Sequence, residues 1–275
     1  MNRLTIEAGK PDRHYWRDLW VFRELFYFMT WRDLLVRYKQ TTIGVAWSVI
    51  RPLLTMLVLT FAFGRVAKMS ATIDYPYPLL VLTGQLPWLF FSNALFESGN
   101  SLVMNSKMIS KVYFPRMVVP AATIITSIVD MAISACLLAL LLVWYRFMPS
   151  GHVFVLPAFM LMAIATSLGV GLWTSALMVQ YRDFRFIVPF VVQFGLYLSP
   201  VGYPTSRVPA AWRLLYSANP MVGVIDGFRW CIIGDHAGNE IYLPGMLLGV
   251  IMSAVLLWSG IRYFRKTERT FADVI

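Results

Sequence analysis

Residues 22 to 52 read FRELFYFMTWRDLLVRYKQTTIGVAWSVIRP, a charged, aromatic-rich run that leads straight into the first long apolar segment. A helical period places Tyr27, Trp31, Leu34, Leu35 and Tyr38 on one face and Arg23, Arg32, Asp33, Arg37, Lys39 and Gln40 mostly on the other. That pattern fits an amphipathic helix in a membrane interface, with its Trp and Leu at the headgroup boundary and its Lys and Arg in water. Phe26, Met29 and Val36 fall among the charges and Glu24 falls on the apolar side, so a helix packed against other protein fits the same residues. One helix can do both.

The rest of the chain is too apolar for a soluble globule. Of 275 residues, 58% are hydrophobic and 14% charged, against about 25% charged in soluble domains, and the mean hydropathy is +0.63. The expected fold class is all-α: a polytopic membrane protein. The net charge of +10 does not point to nucleic acid, because the basic residues are dispersed between apolar segments. Cys136 and Cys231 form no CxxC pair, which argues against a disulfide framework or a metal site. A charge-bearing stretch of some forty residues precedes the first apolar run, so no cleavable signal peptide is expected.

A helix crosses a bilayer core in about 20 residues. Six segments qualify, at about 43 to 63, 78 to 96, 116 to 145, 153 to 178, 186 to 204 and 241 to 261. With both termini in the cytoplasm, residues 1 to 42, 97 to 116, 179 to 185 and 262 to 275 hold seventeen Lys and Arg, the outer connections six, and the first span Arg51. The positive-inside rule favours that orientation.

Residues 205 to 240 contain LLYSANPMVGVIDGFRWCIIG, which Pro220 interrupts and Asp226 and Arg229 charge. Its unbroken part, 221 to 233, is too short to span. Two short re-entrant helices, about 208 to 217 and 221 to 232, fit better and make a candidate gate over 205 to 235. The inner loop from Glu97 to Arg116 carries a short helical stretch that interleaves Leu102, Val103, Ile109 and Val112 with Asn105, Lys107 and Lys111, closed by Pro115. Such a partly apolar segment needs a partner, although an ordinary connector along the membrane has the same pattern.

Charges within spans cost about 2.5 to 3.5 kcal/mol each on insertion scales. Asp130 lies mid-span between Ser127 and Ser134, a polar stripe for a helix contact or a pathway. Arg51, before Pro52, is readable as a contact for an anionic headgroup, as a snorkelling side chain, or as a partner of Asp33 or Glu97. Clustered aromatics, among them Tyr197, Tyr203, Trp212 and Tyr216, suit interface belts, packing or the wall of a conduit for sugars. No GxxxxGK[ST], HExxH or GxSxG motif is present, and His14, His152 and His236 are scattered, so the chain is not expected to be an enzyme. Gly245 to Gly249 and Ser167 to Gly171 have small-xxx-small spacing. No two-fold internal repeat is visible, and six helices make a thin wall for a large conduit, so a symmetric dimer is the economical assembly.

Six stretches together resemble one family: 31 to 67 (WRDLLVRYKQTTIGVAWSVIRPLLTMLVLTFAFGRVA), 82 to 95 (LTGQLPWLFFSNAL), 105 to 116 (NSKMISKVYFPR), 177 to 204 (LMVQYRDFRFIVPFVVQFGLYLSPVGYP), 219 to 230 (NPMVGVIDGFRW) and 264 to 275 (FRKTERTFADVI). They are similar to the ABC-2 type permeases that export polysaccharides, the Wzm, KpsM and TagG group, and most of all to its O-antigen branch. The resemblance implies a six-helix subunit of the bacterial inner membrane that forms a homodimer around a channel and docks two copies of a separate ATPase. ATP and Mg then sit on the partner, with no cofactor on this chain.

It further implies a cytoplasmic N-terminus over 1 to 42 with an interface helix at Arg23 to Gln40, a transmembrane domain over 43 to 261, and a cytoplasmic tail over 262 to 275. A coupling helix at Ser101 to Phe114 would present Asn105, Lys107, Ile109, Lys111 and Tyr113 to the ATPase. Arg32, Arg37 and Lys39 would meet the headgroup of an undecaprenyl-pyrophosphate or other lipid-linked polysaccharide. Asp130, Tyr197, Tyr203, Trp212 and Tyr216 are the channel and gate candidates. Relatives often carry an uncharged residue where Arg51 stands, so the family gives it no role. A drug or small-lipid efflux permease, or a membrane scaffold for glycan synthesis, is the alternative function.

Overall fold

The computed structural model describes residues 15–39, 44–235 and 241–271, and contains no strand among them. The expected positions of Gln40, His14, His236 and the last four residues of the tail lie outside the described residues, as does the expected start of the first span at 43. Two helices lead: α1 (Tyr15–Val21) and α2 (Arg23–Lys39). Then follow α3 (Gly44–Leu59), α4 (Tyr77–Met104), the one-turn α5 (Ser106–Ile109), α6 (Val118–Trp144), α7 (Leu156–Gln180) and α8 (Phe184–Leu198). The chain ends in α9 (Ala210–Tyr216), α10 (Pro220–Ile233) and α11 (Leu243–Thr267).

Several boundaries follow from local chemistry. Helices α4, α7, α10 and α11 each carry Pro in the first turn, where its missing N–H costs nothing. Asn219 caps α10, its side chain accepting from Met221 N at 3.1 Å. Gly234 ends α10 at φ +83°, a left-handed conformation that a side chain would strain. Asn105 stops α4 by turning its own amide back to Ser101 O at 2.8 Å.

Among the described residues five helices are long and apolar enough to cross a membrane: Ala46–Val66, Tyr77–Met104, Val118–Trp144, Gly151–Gln180 and Leu243–Thr270. The sixth expected segment is the fifteen-residue α8, about 22 Å long at 1.5 Å per residue and short of a 30 Å core. The expected helical stretch from Ser101 to Phe114 is also redistributed: its first residues extend α4, and only Ser106–Ile109 forms a separate turn.

Helix α4 is the hub, packing against α3, α6, α7, α8 and α10, with Leu79 to Leu82 fully buried. Around its first half lies a core with Met221, Val224, Ile225 and Phe228 of α10. A second core at its other end joins Met29, Leu102, Ile109, Phe114 and Phe264. In lipid, apolar area alone does not hold helices together; close packing and hydrogen bonds do. Helices α7 and α11 show this at Gly260, where a Cβ would fall 2.2 Å from Gly169 O. Thr166 and Ser253 hydroxyls lie 2.9 Å apart beside it, and Trp173 stacks on Tyr263 at 4.1 Å. The close glycine pair is thus Gly169 with Gly260. Gly245 lies as closely against Ser217, where a Cβ would fall 2.3 Å from its hydroxyl, and Gly249 lies against Met162.

Helix α3 is interrupted chemically by Pro52, which cannot donate to Ser48 O. Ser134 of α6 lies 3.3 Å from that carbonyl and shares its hydroxyl proton between Ser48 O and Asp130 O. Beyond Leu59 the helix widens into a π turn, Thr60–Val66, in which Ala67 N donates to Ala62 O at 3.0 Å.

Candidate functional site

Four groupings of polar side chains stand out in this apolar bundle. The first hangs on α2. Arg37 pairs with Glu97 of α4 at 2.6 Å and with Asp130 of α6, and the Tyr38 hydroxyl donates to the other Asp130 oxygen. Burial, then that hydrogen bond, pushes the Tyr38 hydroxyl up to about 12, so it keeps its proton and acts as a donor. Arg32 pairs with Asp33 at 2.8 Å and donates to Asn105 Oδ1 at 3.0 Å. Met29, at 1% exposure, and Thr30 turn into the bundle, while Tyr27 and Trp31 stack on each other at its surface. The bundle-facing side of α2 therefore runs through Met29 and Arg37, among the charges of the periodic pattern.

Asp130, 9% exposed, is closed off by Arg37 and Tyr38. Glu97 and Asp33 have Arg partners of their own, and Arg51 forms no ion pair with either. Lys39 is exposed at the end of α2.

The second grouping surrounds a cleft of about 390 Å³ between α1, the α5–α6 connection and the end of α11. Arg116 N donates to Glu268 Oε1 at 2.7 Å, and the Arg265 guanidinium lies 4.7 Å from the Tyr15 ring centre. Burial, with Glu268 close by, raises the pKa of Tyr15. Lys107, Lys111 and Tyr113 are exposed near or on this cleft, whereas Ile109 is buried in the second core.

The third grouping lies at the opposite end of α4. The Arg229 side chain, 1% exposed, donates to Leu80 O at 3.3 Å, Tyr203 O at 3.0 Å and Val201 O at 2.8 Å. Its acid partner Asp226 lies 3.9 Å away and accepts from Thr205 at 2.8 Å. A Cβ on Gly84 would stand 2.6 Å from the guanidinium, so glycine makes room for it. Tyr203 and Tyr216 share a hydroxyl contact at 3.0 Å, and Tyr203 lies 3.2 Å from Tyr197 O. Phe63 of the π turn packs on Tyr203 at 5.9 Å. Tyr197, Tyr203 and Tyr216 thus come together, and Trp212, one turn before Tyr216 on α9, is 62% exposed.

The fourth is a groove of about 450 Å³ along α4, walled by α3 and α8. Gln85, Ser92, Asn93 and Phe96 recur at helical spacing on α4, Arg51 and Thr55 face them from α3, and Gln193 closes from α8. A second hollow of about 330 Å³ shares Arg51, Leu89 and Asn93 with it and extends to Arg37, Glu97 and Asp130. Among the described residues no cluster of His, Cys, Asp and Glu is arranged to hold a metal ion.

A bundle of long apolar helices with a polar groove, a charged helix packed on its side and a basic cleft has the parts of a transporter. The ABC-2 type transporter family matches residues 24–233. The chain belongs to that family. Among its relatives, the O-antigen export system permease protein RfbA of Myxococcus xanthus is 28% identical over 261 residues, covering 94% of this chain and 98% of the relative. An RfbA of Klebsiella pneumoniae is 26% identical over 92% of this chain and 95% of its own length. The polysialic acid transport protein KpsM of Escherichia coli is 21% identical over 86% and 91%.

In this ABC-2 permease, residues expected to act separately are in contact. Arg32 of α2 holds Asn105 between α4 and α5, and Arg37 of the same helix holds Asp130 of α6. Arg229, Gln85 and the Arg116–Glu268 link were not singled out by motif. Arg229 alone left a trace, as a charge in an apolar run.

Proposed function

We propose that this chain is the membrane permease of an ATP-driven exporter that moves a lipid-linked polysaccharide, of the O-antigen kind, across the bacterial inner membrane. The observation that carries it is the groove on α4. Amide and hydroxyl side chains alternate there with the rings of Trp88 and Phe96, inside a bundle whose relatives over nearly their whole length are O-antigen export permeases. Polar groups at membrane depth are costly and are kept where they face a wet path. Amides offer donors and acceptors to sugar hydroxyls, and ring faces offer apolar contact without fixed partners.

In this reading α8 together with the chain that follows it, to Pro204, completes six crossings, and both termini are cytoplasmic. Two copies of the chain close the conduit, with the exposed faces of α3 and α8 toward the partner copy. Helices α9 and α10 dip back into the outer leaflet as a gate, with Tyr197, Tyr203 and Tyr216 at its lip. Lys107, Lys111 and Tyr113 meet a separate ATPase, which binds ATP and Mg. Lys39 faces the lipid pyrophosphate, while Arg32 and Arg37 hold the interface helix in place.

Deletion of the gene, with complementation, tests the reading. Loss of surface polysaccharide with lipid-linked polymer trapped in the cytoplasm is the expected outcome. Unchanged surface polymer contradicts it.

A further inference from the structure

Arg51 is exposed in the first span, on the wall of both the groove and the hollow beside it, and among the described residues no hydrogen bond or ion pair engages it. The nearby carboxylates Glu97 and Asp130 are both held by Arg37, and Tyr38 adds a donor to Asp130. An exposed guanidinium without a protein counter-charge at this depth is disposed to receive an anion. Across the groove stands Gln85, fully buried, whose Nε2 donates to Pro52 O at 3.3 Å while its Oε1 accepts nothing among the described residues. Asn93 faces both hollows, and Phe96, 47% exposed, borders the groove. A fork of N–H donors, spare amide groups and an exposed ring together match a sugar that bears an anionic oxygen group.

Resting on the permease reading above, we infer that Arg51 and the facing α4 side chains form a binding site for a phosphate or carboxylate group attached to the glycan. The group is either the pyrophosphate of the lipid carrier or an acidic sugar of the polymer. Arg51 is the residue that favours anionic over neutral cargo.

The test uses the full chain in phosphatidylcholine nanodiscs, titrated with farnesyl pyrophosphate and, separately, trigalacturonate. The wild type is expected to bind at least one probe. Arg51→Gln should weaken that binding about tenfold or more, and Arg51→Lys about threefold or less. Thr55→Glu offers Arg51 an internal carboxylate one helical turn away and should weaken binding in the same way, with the arginine retained. Loss confined to farnesyl pyrophosphate assigns the headgroup, and loss confined to trigalacturonate assigns the acidic sugar.

A role limited to balancing Glu97 and Asp130 predicts instead a lowered melting temperature with unchanged anion affinity, and that result overturns the site. So does a wild type that binds neither probe, or Thr55→Glu that binds as the wild type does. These failures leave the deletion phenotype intact, whereas unchanged surface polymer on deletion defeats the permease reading itself.

Discussion

Arg37 of α2 and Asp130 of α6, separated by 93 residues in the chain, form an ion pair that fastens the two helices together. Glu97 shares the same guanidinium from α4, so one side chain ties three helices. Both partners of the main pair are largely shielded, Arg37 at 28% and Asp130 at 12% side-chain exposure. Removing one partner therefore leaves an uncompensated charge.

Asp130→Asn is expected to lower stability by about 1 to 3 kcal/mol, the cost of a charged hydrogen-bond partner lost at a shielded site. In a double-mutant cycle with Arg37→Gln the two changes should be non-additive by about 0.5 to 3 kcal/mol. Thermal unfolding of the detergent-purified chain measures both. Additive effects would mean that the pair does not act as a unit.

Arg229 is the strongest single tie at the other end. Its guanidinium reaches carbonyls of α4 and of the segment after α8, with Asp226 as its counter-charge. Arg229→Gln should cost about 3 kcal/mol or more, and Arg229→Lys should recover only part, because an ammonium lacks the planar fork. Equal melting temperatures for wild type and Arg229→Gln would refute the staple.

Gly260→Ala should separate α7 from α11, since the added methyl meets Gly169 O at 2.2 Å. A cost of about 1 to 3 kcal/mol is expected for such overpacking. Gly151→Ala is the matched control: nothing lies within 4 Å of its Cβ, so the change should stay within about 0.5 kcal/mol. The same unfolding assay compares the two.

Much of the architecture was legible because hydropathy and helix period act locally. Five of the six long apolar runs became helices long enough to cross a membrane, and Pro220 with Asn219 marked the start of α10. The short helices before α11 were readable from the same breakers. The face of α2 was harder. Its bundle-facing residues, Met29 and Arg37, interrupt the amphipathic pattern, and only the acids on α4 and α6 explain why a cation turns inward. Pairings such as Arg32 with Asn105, or Arg229 with three carbonyls, depend on distant segments that no local period encodes. The length of α8 escaped for a simpler reason: Ser199 and Pro200 end the helix inside a run that is still apolar.

Charge reversal at Lys107 and Lys111 tests the proposed contact with the ATPase. Both are exposed beside the α5 turn, where two added negative charges in place of two positive ones should oppose an acidic partner surface. Co-purification of the ATPase subunit is expected to fall at least severalfold while the chain's own melting temperature holds. Stoichiometric co-purification with normal export would remove these lysines from the interface.

The central claim, that polymer passes along the α4 groove, is tested most directly by a photo-crosslinking amino acid at Asn93 in cells exporting polysaccharide. The control carries it at Leu247, exposed on α11 away from the groove. The account predicts glycan adducts at Asn93 that require an active ATPase, and none at Leu247. Equal labelling at the two positions, or none at Asn93 during active export, would contradict it.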